Sequence, residues 1–175
     1  LQRQFKADEP NRVWVSDVTC FKINDKYLYI CVILDLFSRK VVAYRVSPKN
    51  STYLITSTFR QAYQNRNAPQ SLMFHSDQGA QYTSKTFRKL LHMNKVVQSF
   101  SAPGQPHDNA VMESFFSFMK REEIYRTHYK SEQQFAKSVD NYIEFYNTQR
   151  PHSTLNYKTP DQFEAIYEVK KKYVD

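Results

Sequence analysis

The chain has 175 residues, 41% hydrophobic and 15% aromatic, which is enough apolar material for one compact domain with its own core. Lys and Arg number 25 against 17 Asp and Glu, and a net charge of +8 favours a polyanionic partner such as nucleic acid. The longest apolar run, Tyr27 to Leu34, is too short to cross a bilayer, no signal segment opens the chain, and two cysteines without CxxC or paired histidines predict neither a disulfide framework nor a zinc site.

A soluble cytoplasmic protein without membrane contact is therefore expected, with Cys20 and Cys31 both buried and inert. Because the chain opens on Leu1, it reads as a fragment with a domain missing upstream. Residues 1–12 read as an extension or linker. Val13 to Phe21 is rich in β-branched and aromatic residues, Asn24-Asp25 marks a turn, and Tyr27 to Leu34 suits a strand buried on both faces. Lys40 to Val46 supplies a third strand. Beyond Pro48, Asn50 or Ser51 caps a helix whose Ile55, Phe59 and Ala62 share one face and which ends before Pro69.

Leu72 to His75 is a short fourth strand. Ser84 caps a helix carrying Phe87, Leu90 and Leu91, and Val96 to Phe100 is the fifth strand. A loop with Pro103, Gly104 and Pro106 leads into a helix from Ala110 to about Arg121. Ser131 with Gln134 has the capping-box signature and opens a long amphipathic helix with Phe135, Val139, Tyr142, Ile143 and Tyr146 on its apolar face. Three meandering strands followed by alternating helices and strands imply an α/β fold, a five-stranded mixed sheet flanked by helices on both faces. The core is predicted over 13–165, and 166–175, with Lys170, Lys171 and Lys172, reads as a basic solvated tail.

Three carboxylates stand where this layout lets them meet: Asp17 inside the first strand, Asp77 just past the fourth, and Glu113 on the helix after the Pro-Gly loop. Each alone has an ordinary explanation, as a strand-edge residue, a turn former and a solvent-facing helix residue respectively. Asp17, however, lies amid Val13, Trp14, Val15 and Val18, where an uncompensated charge is costly to bury. Asp77 follows the C-terminal end of a strand, the edge where open α/β sheets bind ligands, and Gly79 permits a sharp turn beside it. On a helical wheel Glu113 heads a polar stripe with Ser117 and Lys120, opposite an apolar half containing Met112, Phe115, Phe116 and Met119. Hard oxygen ligands on rigid elements suit Mg²⁺ or Mn²⁺, and two such ions can activate a water or a DNA 3′-hydroxyl while stabilising the leaving oxygen. Serine or tyrosine recombination would need an activating Arg and His cluster around one nucleophile, and none is apparent in the sequence.

Thirty-five residues separate Asp77 from Glu113, the D,D-35-E interval of the DDE transposase and retroviral integrase superfamily. Around it stand Trp14-Val15-Ser16-Asp17, Asp35 to Arg39, His75 to Gly79 and Gly104 to Ala110, followed by Tyr146-Asn147, Arg150-Pro151-His152 and Thr159-Pro160. Over roughly residues 11 to 165 the chain resembles the catalytic core of a bacterial insertion-sequence transposase. That resemblance implies a ribonuclease-H-like fold, a pair of Mg²⁺ or Mn²⁺ ions on Asp17, Asp77 and Glu113, cleavage at element ends, and joining of the 3′-hydroxyl to target DNA. It further implies a homo-multimer in the bacterial cytoplasm, associated with the nucleoid, and a helix-turn-helix region upstream of this fragment.

Lys120, seven positions after the glutamate, matches the family's basic residue and is expected to contact DNA together with Ser117, Arg121 and Asn109. For Asn109 and Asp108 a helix-capping role is the competing expectation. His75 is expected to be a packed strand residue, and Asp35, Ser38 and Arg39 a turn tied by side-chain hydrogen bonds. Two alternatives to the transposase stay open: a nuclease of the same fold that does not join strands, and an inactive DNA-binding or assembly module.

Overall fold

The computed structural model describes residues 7–101 and 109–173. Strand β1 (Val13–Ile23) and β2 (Lys26–Asp35) form a hairpin closed by Asn24 and Asp25, whose φ of 45° and 66° are the positive pair that a two-residue turn between twisted strands requires. β3 (Val41–Ser47) pairs antiparallel with β2, while β4 (Met73–Ser76) and β5 (Val97–Phe100) add parallel on the other side, giving the order β3-β2-β1-β4-β5. The mixed five-stranded sheet therefore forms as the sequence predicts.

Alternation along β2 divides the interior into two cores. Leu28, Ile30, Val32 and Leu34 enter one, where they meet Met112, Phe115 and Met119 of α3 (Ala110–Glu122) and Phe135, Val139 and Ile143 of α4 (Glu132–Thr148). Cys31 and Ile33 enter the other, with Ile55 and Phe59 of α1 (Thr52–Asn65) and Phe87 and Leu91 of α2 (Lys85–Met93). Helices thus cover both faces, and β2 is apolar on both sides because neither side meets water.

Helix starts follow local chemistry. Ser51, Ser84 and Ser131 each accept a hydrogen bond from the backbone N–H three residues on. Gln134, predicted to close a capping box on Ser131, instead accepts from the N–H of Lys130. A fifth helix, α5 (Pro160–Lys172), goes beyond the predicted elements. It opens on a complete capping box between Thr159 and Gln162 with Pro at the first turn, and runs through most of the segment read as a tail. Phe163 and Tyr167, one turn apart, pack on Phe37 at ring-centroid distances of 5.1 and 5.0 Å, while Lys170, Lys171 and Lys172 remain exposed. Cys31 is buried as expected, but Cys20 is exposed, because it points outward from the far half of β1 where no helix covers it. Among the described residues, no helix is long and apolar enough to cross a membrane.

Candidate active site

Strand pairing brings the first two carboxylates together. Val15 stands opposite His75 in the parallel β1–β4 pair, and Asp17 and Asp77 each lie two residues further toward the C-terminal end. Asp17 also shares the face of Val15, which is the face that α3 covers. Met112, Phe115, Phe116 and Met119 anchor α3 to that core, leaving Glu113 exposed at the helix's first turn. Asp17, Glu113, Ser117, Lys120 and Arg121 then line one cleft of about 470 Å³. Asp77 is exposed beside this cleft rather than within its lining.

The electrostatics link all three. The Asp17 carboxyl is pushed up to about 6, first by burial and then by the negative charges of Asp77 and Glu113; a bond from Val18 N–H at 2.7 Å and the Lys120 ammonium pull the other way. Among the described residues Asp17 makes no ion pair, and no three His, Cys, Asp or Glu side chains stand placed to enclose an ion. The donor set nonetheless suits a hard divalent cation: a desolvated carboxylate raised by two like charges has the environment that a cation would relieve. Gly79 serves Asp77 directly. Its N–H donates to Asp77 Oδ1 at 3.0 Å, and a Cβ at Gly79 would meet that same oxygen at 3.0 Å. A side chain there would press on the carboxylate, which would have to give by a few tenths of an ångström.

Behind Asp17, on the opposite face of β1, Ser16 Oγ donates to the Val32 carbonyl at 2.9 Å and lies 2.8 Å from the Tyr82 hydroxyl. Tyr82, fully enclosed, fastens the chain that follows Asp77 to the strand carrying Asp17. This clamp was missed in the sequence, where Tyr82 is one aromatic among thirteen tyrosines.

The sequence matches the family model for the integrase core domain over residues 7–106, and a second integrase core domain model matches 94–160. The chain belongs to the integrase core domain family. It is 40% identical over 165 residues to the transposase for insertion sequence element IS904 of Lactococcus lactis, covering 94% of this chain and 65% of that protein. To the putative transposase InsK for insertion sequence element IS150 of Escherichia coli it is 36% identical over 163 residues, covering 93% and 58%. The chain thus spans about three fifths of the length of these relatives. The catalytic core domain of HTLV-2 integrase, solved with magnesium in a dimeric form, superposes with a TM-score of 0.72 at 19% identity over 90% of this chain and 98% of that one. A chain of the simian T-cell lymphotropic virus intasome in complex with PP2A regulatory subunit B56 gamma gives a TM-score of 0.79 at 18% identity over 91% of this chain and 56% of that one. The fold is accordingly the ribonuclease-H-like fold of retroviral integrase cores.

The remaining motifs of this integrase core are largely scaffold. His75 is buried, with Nδ1 3.0 Å from Ser99 Oγ and Nε2 3.2 Å from Ser101 Oγ, as expected of a packed strand histidine. Asp35 and Ser38 tie their turn as predicted: Asp35 accepts from Phe37 N–H at 3.0 Å and Ser38 Oγ accepts from Lys40 N–H at 3.3 Å. Asn109 departs from the capping expectation. Its side chain forms no capping bond to α3, is almost buried, and lies outside the lining of the carboxylate cleft. Asp108 and the Gly104 to His107 motif lie outside the described residues.

The Tyr146 to His152 segment, which sequence reasoning left without a physical account, fastens three elements. Asn147 accepts from Val41 N–H at 2.9 Å and donates to the Val41 carbonyl at 3.0 Å, occupying backbone groups of edge strand β3 as a neighbouring strand would. Arg150 grips Glu122 of α3 with two bonds of 2.8 and 2.7 Å and lies 4.2 Å over the Phe118 ring. His152 packs edge-on against Tyr146 at 4.6 Å.

Burial, followed by the positive charge of Arg150, pushes the His152 imidazole down to about 4; a hydrogen bond to the Tyr146 backbone and the charge of Glu122 pull upward, and Arg39 downward. The unfolded chain therefore takes its proton first. Stability contributed by neutral His152 is complete above the unfolded value near 6.5 and is lost as pH falls from there toward 4. Urea midpoints measured from pH 7 to pH 4 should decline in the parent and decline less in His152→Gln. Parallel profiles would remove His152 from the acid response.

Proposed function

We propose that this chain is the catalytic core of a DDE-type transposase, cutting phosphodiester bonds at element ends and joining the freed 3′-hydroxyl to target DNA. The observation that carries the reading is the site around Asp17: a desolvated carboxylate on the sheet, raised by Asp77 and Glu113 and faced by Lys120. Asp17, Asp77 and Glu113 would hold Mg²⁺ or Mn²⁺ as a pair of ions, which when bound supply an activated oxygen nucleophile and stabilise the leaving oxygen. The chain's own contributions are positional. β1 and β4 fix two carboxylates on one sheet edge, α3 brings the third, and Lys120, Ser117 and Arg121 extend the same cleft with groups that can grip backbone phosphates.

The partners in this reading are element-end and target DNA, with the net charge of +8 favouring approach to either. A homo-multimer is the assembly proposed, the HTLV-2 core having been solved in dimeric and trimeric forms. The setting is the bacterial cytoplasm at the nucleoid, and a helix-turn-helix region upstream would recognise the ends. Incubation with a duplex bearing a recessed 3′ end, a plasmid target and Mn²⁺ tests the chemistry. Joined products are expected; degradation of the duplex without joining would favour a metal-dependent nuclease instead, and inertness toward both would favour a binding or assembly module.

Lys120 is assigned to the DNA backbone. Lys120→Ala should weaken duplex binding and flatten the log K against log salt slope by about 0.9, the effect of one phosphate contact. A salt titration of parent and variant checks this, and an unchanged slope would return Lys120 to solvent.

A further inference from the structure

The parallel pairing of β1 with β4 ends at Val15 and His75, two residues before Asp17 and two before Asp77. The ladder thus stops short of both carboxylates, and Asp77 stands exposed on the turn that follows β4. Like charges push apart, and the negative charge of Asp77 is one of the causes that raise the Asp17 carboxyl. Something other than the ladder has to hold this turn against β1.

Tyr82 supplies the link. Among the described residues, its hydroxyl makes the one side-chain hydrogen bond between the segment 77–83 and β1, lying 2.8 Å from Ser16 Oγ. Ser16 gives its own proton to the Val32 carbonyl, so the Tyr82 hydroxyl is the donor. Val32 stands opposite Asp17 in the β1–β2 pair, and the bond therefore closes on the backbone beside that carboxylate. In the other direction, Tyr82 N–H donates to the Gly79 carbonyl at 3.0 Å, and Gly79 N–H donates to Asp77 Oδ1 at 3.0 Å. Hydrogen bonds thus run from the Asp77 carboxylate through Gly79 and Tyr82 to Ser16, the neighbour of Asp17.

We propose that Tyr82 is a positioning residue: its buried hydroxyl, donated to Ser16, fixes the separation of Asp17 and Asp77 at which the two carboxylates can share divalent metal. This rests on the transposase reading above, and adds to it the group that pre-organises the site before metal arrives. The ring is seated independently of its oxygen, 6.2 Å from Phe74 and 5.9 Å from Phe87, and Gln98 Nε2 donates to the Tyr82 carbonyl at 2.9 Å. Phenylalanine would fill the same core, so the hydroxyl, on a side chain only 3% exposed, is what this position adds. Metal-binding constellations need their ligands held to about 0.5 Å, a tolerance that an exposed turn does not provide by itself.

The test titrates Mn²⁺ into this chain bound to a duplex with a recessed 3′ end, reading free Mn²⁺ by electron paramagnetic resonance and strand joining in parallel. Tyr82→Phe should melt in one cooperative transition, yet need about tenfold more Mn²⁺ for half-saturation, the low end of what losing a hydrogen bond behind a metal ligand costs. Joining should recover most of the parent rate at saturating Mn²⁺, because bound metal draws the carboxylates together. Ser16→Ala removes the acceptor and should raise the midpoint as well. Adding Tyr82→Phe to Ser16→Ala should then shift it no further, since the bond is already gone. A role confined to packing would lower the melting temperature and leave the Mn²⁺ midpoint where it is.

An unchanged midpoint in Tyr82→Phe, or a second shift when it is added to Ser16→Ala, overturns the positioning role. Should Tyr82→Phe fail to fold, Ser16→Ala decides alone by the same midpoint. If the parent joins strands while the midpoints stay fixed, the transposase reading stands without this inference. A parent that takes up Mn²⁺ but only hydrolyses the duplex removes the transposase reading and leaves the midpoints to decide for Tyr82. A parent that binds no Mn²⁺ in the presence of DNA overturns both.

Discussion

Asp17→Asn, Asp77→Asn and Glu113→Gln should each lower strand cleavage and joining on the order of 10³-fold or more, while the metal-free fold keeps its stability. An amide preserves shape but supplies no anionic oxygen, and several kcal/mol of transition-state charge stabilisation at about 1.4 kcal/mol per tenfold corresponds to losses of that size. Stability should move the other way at Asp17. A carboxyl raised from 3.8 to about 6 contributes stability that is present below 3.8 and lost as pH rises through 6, so at neutral pH the ionised group is a cost. Asn removes that cost. Thermal unfolding at pH 7.5 in EDTA should therefore show Asp17→Asn at or above the parent, with the gap narrowing by pH 5. Near-parent joining by any one variant in excess Mg²⁺ would take that residue out of the site, and a large drop in melting temperature would mean the carboxylate is structural.

The candidate site was legible because the carboxylates proposed for it sit on strongly patterned elements. Asp17 interrupts an apolar strand, Asp77 ends one, and Glu113 stands on the polar stripe of a helix whose other half is plainly core. The supports were not legible, because their meaning depends on partners distant in sequence. Tyr82 reaches Ser16 across 66 positions and Asn147 reaches Val41 across 106, and neither residue is unusual in its own neighbourhood. α5 lies between these cases. Its apolar face is weak, with Pro160 its one buried residue, so periodicity gave little; but Thr159-Pro160 followed by Gln162 is a helix-start signal that could have been used. Asn109 shows the reverse error, a residue type favoured at helix caps that here makes no capping bond.

The largest stability effect is expected from Arg66, a residue without any sequence signal. Its Nη2 lies 3.2 Å from Asp35 Oδ2 and 2.6 Å from Glu164 Oε1, its Nη1 donates to Glu164 Oε2 at 2.9 Å, and its Nε donates to Asn11 Oδ1 at 2.7 Å. One guanidinium thus joins the end of α1, the end of β2, the segment before β1 and α5. Asp35 is fully buried and Glu164 nearly so, so Arg66→Ala leaves two carboxylates facing each other out of water. Breaking a buried pair by removing one partner costs about 3–5 kcal/mol, whatever the intact network contributes over an apolar replacement. The pH response gives the cause away. In the parent, Glu164 is held below 4.5 despite its burial, because Arg66 donates to it, so its contribution is present above 4.5 and lost as pH falls through the depressed value. In Arg66→Ala only the bond from Ser38 Oγ at 2.7 Å and the Lys40 ammonium at 3.7 Å still favour ionised Glu164, so that contribution is reduced, and burial favours protonated Asp35 and Glu164. The deficit measured by urea unfolding should therefore be greatest near pH 7 and shrink below about pH 4.5. A deficit that stays constant with pH would assign the loss to packing around the Arg66 side chain rather than to the stranded charges.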